Sequence, residues 1–172
     1  MRKPVRSSSS SSTVDVAAVF PELPAVGEGK RGERGYLGYL LRQAHAASRL
    51  AMERTLADLG VTSPQFMVLT LLVAYPGISS ADLARLAFLT PQTVSVIVAN
   101  LEKRDAIARR PHAVHGRIRL IEVSETGRAL LATCRERVRR LEARLRDGLS
   151  EADEQVIRLW LVRVAQEDGD AA

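Results

Sequence analysis

Cysteine occurs once in this 172-residue chain, at position 134, so no disulfide can close within it. That suits a reducing, cytoplasmic setting. Aromatic residues make up 4% against 46% apolar residues in all, so the core must be Leu, Val and Ala. Such a composition favours packed helices, and the length suffices for one domain with a sizeable core. No apolar run reaches the roughly 18–20 residues of a membrane span, so no membrane partner is expected. The start, Met1-Arg2-Lys3-Pro4-Val5-Arg6, is basic but leads into six serines, which does not read as a signal peptide. Histidine is scarce too, with three residues. There is no Gly-rich phosphate loop, no metal-ligand cluster and no Ser–His–acid spacing. An enzyme is therefore not expected, and no cofactor. His112-x-x-His115 has a metal-compatible spacing, but no Cys or carboxylate lies close by. Structural zinc wants four ligands, so no metal is expected.

Acidic residues are sparse in one segment. Lys103 to Arg146 holds 13 Lys/Arg and 5 Asp/Glu, a net of +8; with +5 overall, the remainder carries −3. A basic segment in a mildly acidic remainder points to a polyanion partner. A simply solvated Arg-rich helix surface is the bland alternative, which the charge alone favours less.

Residues 1–33 are Ser-rich and broken by Pro21, Pro24, Gly27, Gly29 and Gly32, the pattern of a disordered tail. A long helix is expected over 34–59, with Leu37, Leu40, Leu41, Ala44, Ala47, Ser48, Ala51 and Leu56 at helical spacing and Gly60 ending it. Ser63 is expected to cap the next helix, with Pro64 at its first position and Phe66, Leu69, Thr70 and Val73 inward. After the hairpin discussed below, Leu131, Cys134, Val138, Leu141 and Leu145 step at heptad spacing along a long helix. Ser150-Glu151-Ala152-Asp153 has capping-box spacing, and Val156, Trp160, Leu161 and Val164 share one side of the last helix. Residues 167–172 should fray.

The most telling stretch is Ser79 to Val123. Ser79-Ser80-Ala81-Asp82 begins a short helix ending near Ala87. Thr90-Pro91 begins a second, with Val94, Ile97, Val98 and Leu101 on its apolar face. Gln92, Ser95, Val96, Ala99 and Lys103 occupy the other face. Two strands follow, 107–110 and 117–123, joined by a turn containing His115 and Gly116. Helix, turn, helix and basic hairpin make a winged helix-turn-helix: a mainly α fold with a small β-wing at 61–124, inside helical regions at 34–60 and 125–166.

The B-DNA major groove admits one such helix. Gln92 can pair with adenine, Thr93 and Ser95 can meet bases or phosphates, and Val96 and Ala99 can touch a thymine methyl. Thr90 opens a helix start that offers N–H groups to phosphate. Ser79 and Ser80 would lie on the DNA backbone with the preceding helix. Arg109, Arg110, Arg117 and Arg119 supply charge to the wing, with Arg117 directed to a narrow minor groove. A helical bundle with an incidental hairpin is the plainer alternative.

Residues from about 35 to 166 resemble the MarR family of bacterial transcription regulators. The resemblance is carried by Thr62-Ser63-Pro64-Gln65-Phe66, Pro76 to Ala84, Thr90-Pro91-Gln92-Thr93-Val94-Ser95, Asn100-Leu101-Glu102-Lys103-Arg104 and Ser124-Glu125-Thr126-Gly127-Arg128. It implies a triangular homodimer, joined through the first and last helices, where Leu37, Leu41, Val156, Trp160, Leu161 and Val164 lie, and part of the fifth. It also implies binding to a pseudo-palindromic double-stranded DNA operator, more often as a repressor, with release by a small phenolic or carboxylate effector. Tyr39, His45, Arg49, Met52 and Met67 are candidate lining residues for that effector. Met52 and Met67 as core filler and Arg49 as a surface residue is the bland alternative.

Three positions depart from the family pattern. His115-Gly116-Arg117 lacks the acid that commonly braces the wing Arg, and an unperturbed His titrates near about 6.5. Asp105 stands where Gly is usual, in a turn that asks for the left-handed conformation. Val96 replaces an Arg or Gly. Cys134, in the apolar stripe, is expected to be inert rather than a redox sensor. The competing classes are an enzyme, which turnover would reveal, and a helical scaffold or non-specific nucleic-acid binder, which would show no preference among DNA sequences.

Overall fold

The computed structural model describes residues 23–111 and 119–167. The chain divides into two compact units, residues 1–45 and 46–172. In the first, the Pro- and Gly-rich stretch holds a 3-10 turn, Gly29–Arg31, where the sequence suggests no element. The Arg31 guanidinium donates to the Pro24 carbonyl at 2.9 Å and to Gln43 Oε1 at 3.3 Å. Helix α1, Leu37–Leu56, begins in this unit. It stops short of the expected boundary, and the 3-10 turn Ala57–Leu59 follows, closed by Gly60 at φ 61.

Helix α2 spans Ser63–Ala74, and its cap is Thr62, not Ser63. Thr62 Oγ1 accepts the Gln65 N–H at 3.3 Å, and Gln65 Oε1 accepts the Thr62 N–H at 3.0 Å. Only the Thr62–Gln65 spacing closes that reciprocal box. The buried residues are Gln65, Val68, Leu69 and Leu72; of the four expected inward, Leu69 is buried and Phe66, Thr70 and Val73 are half-buried. An apolar helix has no sharp stripe, so period alone does not select its inner face.

Helix α3 is Ser80–Leu86 and α4 is Pro91–Lys103. Both close by the same backbone arrangement. Phe88 N–H bonds the Arg85 carbonyl and Leu89 N–H the Ala84 carbonyl; Asp105 N–H bonds Glu102 and Ala106 N–H bonds Leu101. The residue at the left-handed position is normally Gly. Here it is Phe88 at φ 52 and Asp105 at φ 53. Asp tolerates that conformation better than most side chains; for a bulky residue it costs about 1–2 kcal/mol.

Strands β1, Ile107–Pro111, and β2, Arg119–Val123, pair antiparallel from Ile107↔Val123 to Pro111↔Arg119. Helix α5 is Glu125–Leu145 and α6 is Glu151–Glu167. Val94, Ile97, Val98 and Leu101 of α4 are buried as their spacing implies, with Leu69, Leu83, Ile107, Ile121 and Leu131 around them. Each fully buried Leu contributes about 1.5–3 kcal/mol. A second cluster joins Leu56 and Val61 to Cys134 and Val138 of α5. The heptad stripe holds through Leu141, but Leu145 is exposed.

Gly127 sits where the first turn of α5 crosses the backbone of Ala106; a Cβ there would collide with the Ala106 carbonyl oxygen. Replacing Gly127 with Ala will destabilise the chain by at least about 2 kcal/mol in urea unfolding, although Ala is the better helix former by about 1 kcal/mol. An unchanged or higher midpoint would show that the backbone yields.

Candidate nucleic-acid interface

Ser79 Oγ accepts the Asp82 N–H at 3.1 Å and donates to Asp82 Oδ2 at 2.6 Å. Ser79-Ser80-Ala81-Asp82 has capping-box spacing, but only half of the box is made. The shorter Asp side chain takes the Ser79 hydroxyl, and Arg85 closes onto the same carboxylate. The Ser79 hydroxyl first, then Arg85, holds the Asp82 carboxyl below its ordinary range. This contribution is therefore present above the ordinary carboxylate range and is lost as pH falls through the depressed value.

Thr90 Oγ1 accepts the Thr93 N–H at 3.1 Å, and Val94 N–H bonds the Thr90 carbonyl at 3.0 Å. Pro91 has no N–H, so among the described residues the Gln92 N–H is the donor left at this helix start. Gln92, Thr93, Ser95 and Val96 are exposed and Ala99 is half-buried. The Ser95 hydroxyl proton is donated to the Pro91 carbonyl at 2.9 Å, so Ser95 presents lone pairs outward. Ser80 is exposed at the first position of α3.

In the hairpin, Arg109 Nε lies 3.2 Å from Glu102 of α4, and Arg110 Nε lies 2.9 Å from Glu122 across the strands. Sequence reasoning placed both arginines in the wing but missed their carboxylate partners, which no local spacing signals. Arg117, His112, His115 and Gly116 lie outside the described residues. Arg104, which carries no local signal of a partner, donates from its guanidinium to the carbonyls of Leu59 at 3.0 Å and Gly60 at 2.5 Å. Arg137 pairs with Asp58 at 2.6 Å, fastening α5 to the same turn.

The effector candidates fall in both units. Tyr39 and His45, both exposed, belong to the first unit. In the second, Arg49 pairs with Glu53 at 2.5 Å, Met52 packs on the Leu56–Cys134 cluster and Met67 is exposed. An open groove of about 510 Å³ is lined by other residues: Arg54, Thr55, Arg137, Arg140, Leu141 and Arg144. Among the described residues, no three His, Cys, Asp or Glu side chains gather to hold a metal ion.

A short helix, a tight turn, a second capped helix with a polar outer face, and a hairpin define a winged helix-turn-helix protein. The chain belongs to the MarR family of transcription regulators, whose family model matches residues 59–118. The HTH-type transcriptional repressor Rv2887 of Mycobacterium tuberculosis is 34% identical over 131 residues, 76% of this chain and 94% of that protein. The crystal structure of Rv2887 in complex with salicylic acid has a TM-score of 0.63 at 33% identity, covering 77% of this chain and 98% of that one. The transcriptional repressor CouR, bound to a 23-mer DNA duplex, has a TM-score of 0.72 at 28% identity and covers 80% and 99%. The present chain is a DNA-binding transcription regulator.

Cys134 is fully buried, and burial raises its thiol above the ordinary value, against a smaller opposing effect of Arg104 and Arg137. The neutral thiol is a poor nucleophile. Iodoacetamide at mildly alkaline pH will therefore alkylate the urea-unfolded chain promptly and the native chain only as fast as it opens. Equal rates would restore Cys134 as a reactive, sensing thiol.

Proposed function

We propose that the chain represses transcription as a homodimer on a pseudo-palindromic operator, and that a small phenolic or carboxylate molecule releases it. The observation that carries the reading is α4, whose apolar side is wholly buried while Gln92, Thr93, Ser95 and Val96 face outward from a capped helix start. In this reading Gln92 pairs with an adenine edge, and Val96 and Ala99 meet a thymine methyl. Thr90, Thr93 and Ser95 contact bases or phosphates. Ser79 and Ser80 lie on the backbone, Arg109 reaches a phosphate after exchanging Glu102, and Arg117 enters the minor groove.

Helix α6 supports the homodimer. Val156 is 66% exposed, Leu159 61% and Val162 54%, with Leu161 exposed and Trp160 and Val164 half-buried. So many uncovered apolar side chains on one helix call for a partner surface. Leu37 and Leu41 of α1 would join that interface. The salicylic acid complex of Rv2887 supports the effector class, with Tyr39, His45, Arg49, Met52 and Met67 as candidate contacts. The reading needs no catalytic step, and such a regulator would act in the cytoplasm, beside its DNA.

Footprinting on DNA upstream of the chain's own and neighbouring genes, with and without salicylic acid, tests the reading; two protected half-sites about one helical turn apart are expected. Absence of any protected site would overturn it. Gln92→Ala will weaken operator binding by about 1–3 kcal/mol and relax preference at one A·T pair; unchanged binding across a set of duplexes would remove Gln92 from base reading. Leu161→Asp will sediment as a monomer. A mutant that remains dimeric would place the interface elsewhere.

A further inference from the structure

Phe88 is 85% exposed and adopts a left-handed backbone at φ 52 in the turn between α3 and α4. Neither property helps the fold. The turn is closed by backbone groups alone, Phe88 N–H to Arg85 and Leu89 N–H to Ala84, and Gly would close it without strain. The equivalent turn after α4 uses Asp105, a residue type that tolerates the conformation. A bulky residue in a strained, solvated position is a pointer to function.

Its place in the chain says what the ring can meet. Phe88 precedes the α4 cap, Thr90, by two residues, so their Cα atoms lie within about 7 Å. That is the end of α4 where the N–H and amide of Gln92 face outward. Beside Phe88, on the short helix α3, stand Leu86, 45% exposed, and the paired Arg85 and Asp82, so the apolar surface here is small and bordered by charge. A lone aromatic beside charged groups, continuous with a DNA-reading surface, suits the edge of a duplex.

We propose that Phe88 is a DNA contact whose ring packs on an apolar edge of the duplex, a thymine methyl or deoxyribose carbons, flanking the groove that α4 enters. The inference rests on the DNA-binding reading. It assigns Phe88 a role different from that of the wing arginines. An uncharged ring displaces no counterions, so it adds affinity without adding salt dependence.

The test begins with a duplex selected from a random pool by the wild-type protein. Phe88→Gly removes ring and strain together; Phe88→Ala removes the ring and keeps the strain. Both should remain dimeric, Phe88→Gly should unfold no earlier than wild type, and both should bind roughly three- to tenfold more weakly, with the slope of affinity against salt unchanged. Uracil in place of thymine then separates the two edges. A larger loss for wild type than for Phe88→Gly identifies the methyl group, and equal losses in the two identify the sugar. Wild-type affinity in both Phe88 variants, while Gln92→Ala still weakens binding, overturns this proposal alone. A changed oligomeric state with unchanged DNA affinity overturns it in favour of contact between copies. Failure of the wild type to select any sequence overturns the DNA-binding reading as well.

Discussion

The carbonyl oxygen of Ala106 occupies the space that a side chain at position 127 would need. Around that close approach, Ser124 N–H bonds the Ala106 carbonyl at 3.1 Å, and Ser124 Oγ accepts the Gly127 N–H at 3.0 Å while donating to the Asp105 carbonyl. The end of α4, both ends of the hairpin and the start of α5 therefore meet at one joint. A two-stranded hairpin is marginal by itself. Here its register, Ile107 opposite Val123, begins at that joint, so the wing inherits its position from α4.

From this joint the division of α4 follows. Val94, Ile97, Val98 and Leu101 fix the rotation of the helix, and whatever is not buried must present itself to solvent. Arg104 and Arg137 tie the frame to the Ala57–Gly60 turn, 44 or more residues away from Arg104 in sequence. The pair between Arg109 and Glu102 links the hairpin to α4. Both side chains are partly exposed, so the link is worth at most about 1 kcal/mol, and a phosphate can displace it at small cost.

The legible parts of the sequence were those written in local periodicity and capping chemistry. The apolar face of α4 and the helix starts at Ser79 and Thr90 are short-range patterns, and the structure has them. The cap of α2 fell one residue earlier because only Thr62 has Gln65 at the reciprocal distance. Of the residues expected inward on α2, Leu69 is buried and Phe66, Thr70 and Val73 only half-buried, because the helix is apolar nearly all round. What was not legible depends on contacts between distant residues: Gly127 against Ala106, Arg104 on Leu59 and Gly60, Arg109 on Glu102. The strain at Phe88 had no signal beyond its place before a cap. Asp105, at a turn position where Gly is usual, does adopt the left-handed conformation that the position asks for. The wing tip with Arg117 and His115 lies outside the described residues, and the effector residues are not gathered by the second unit alone.

The central claim is that the outer face of α4 distinguishes one DNA sequence from another. The most direct measurement is a competition, at fixed salt near the physiological level, between a selected duplex and a shuffled duplex of identical composition. The account predicts that the selected duplex binds tighter by about a thousandfold or more. Equal affinities, both collapsing together as salt is raised, would contradict it and leave only a basic helical surface.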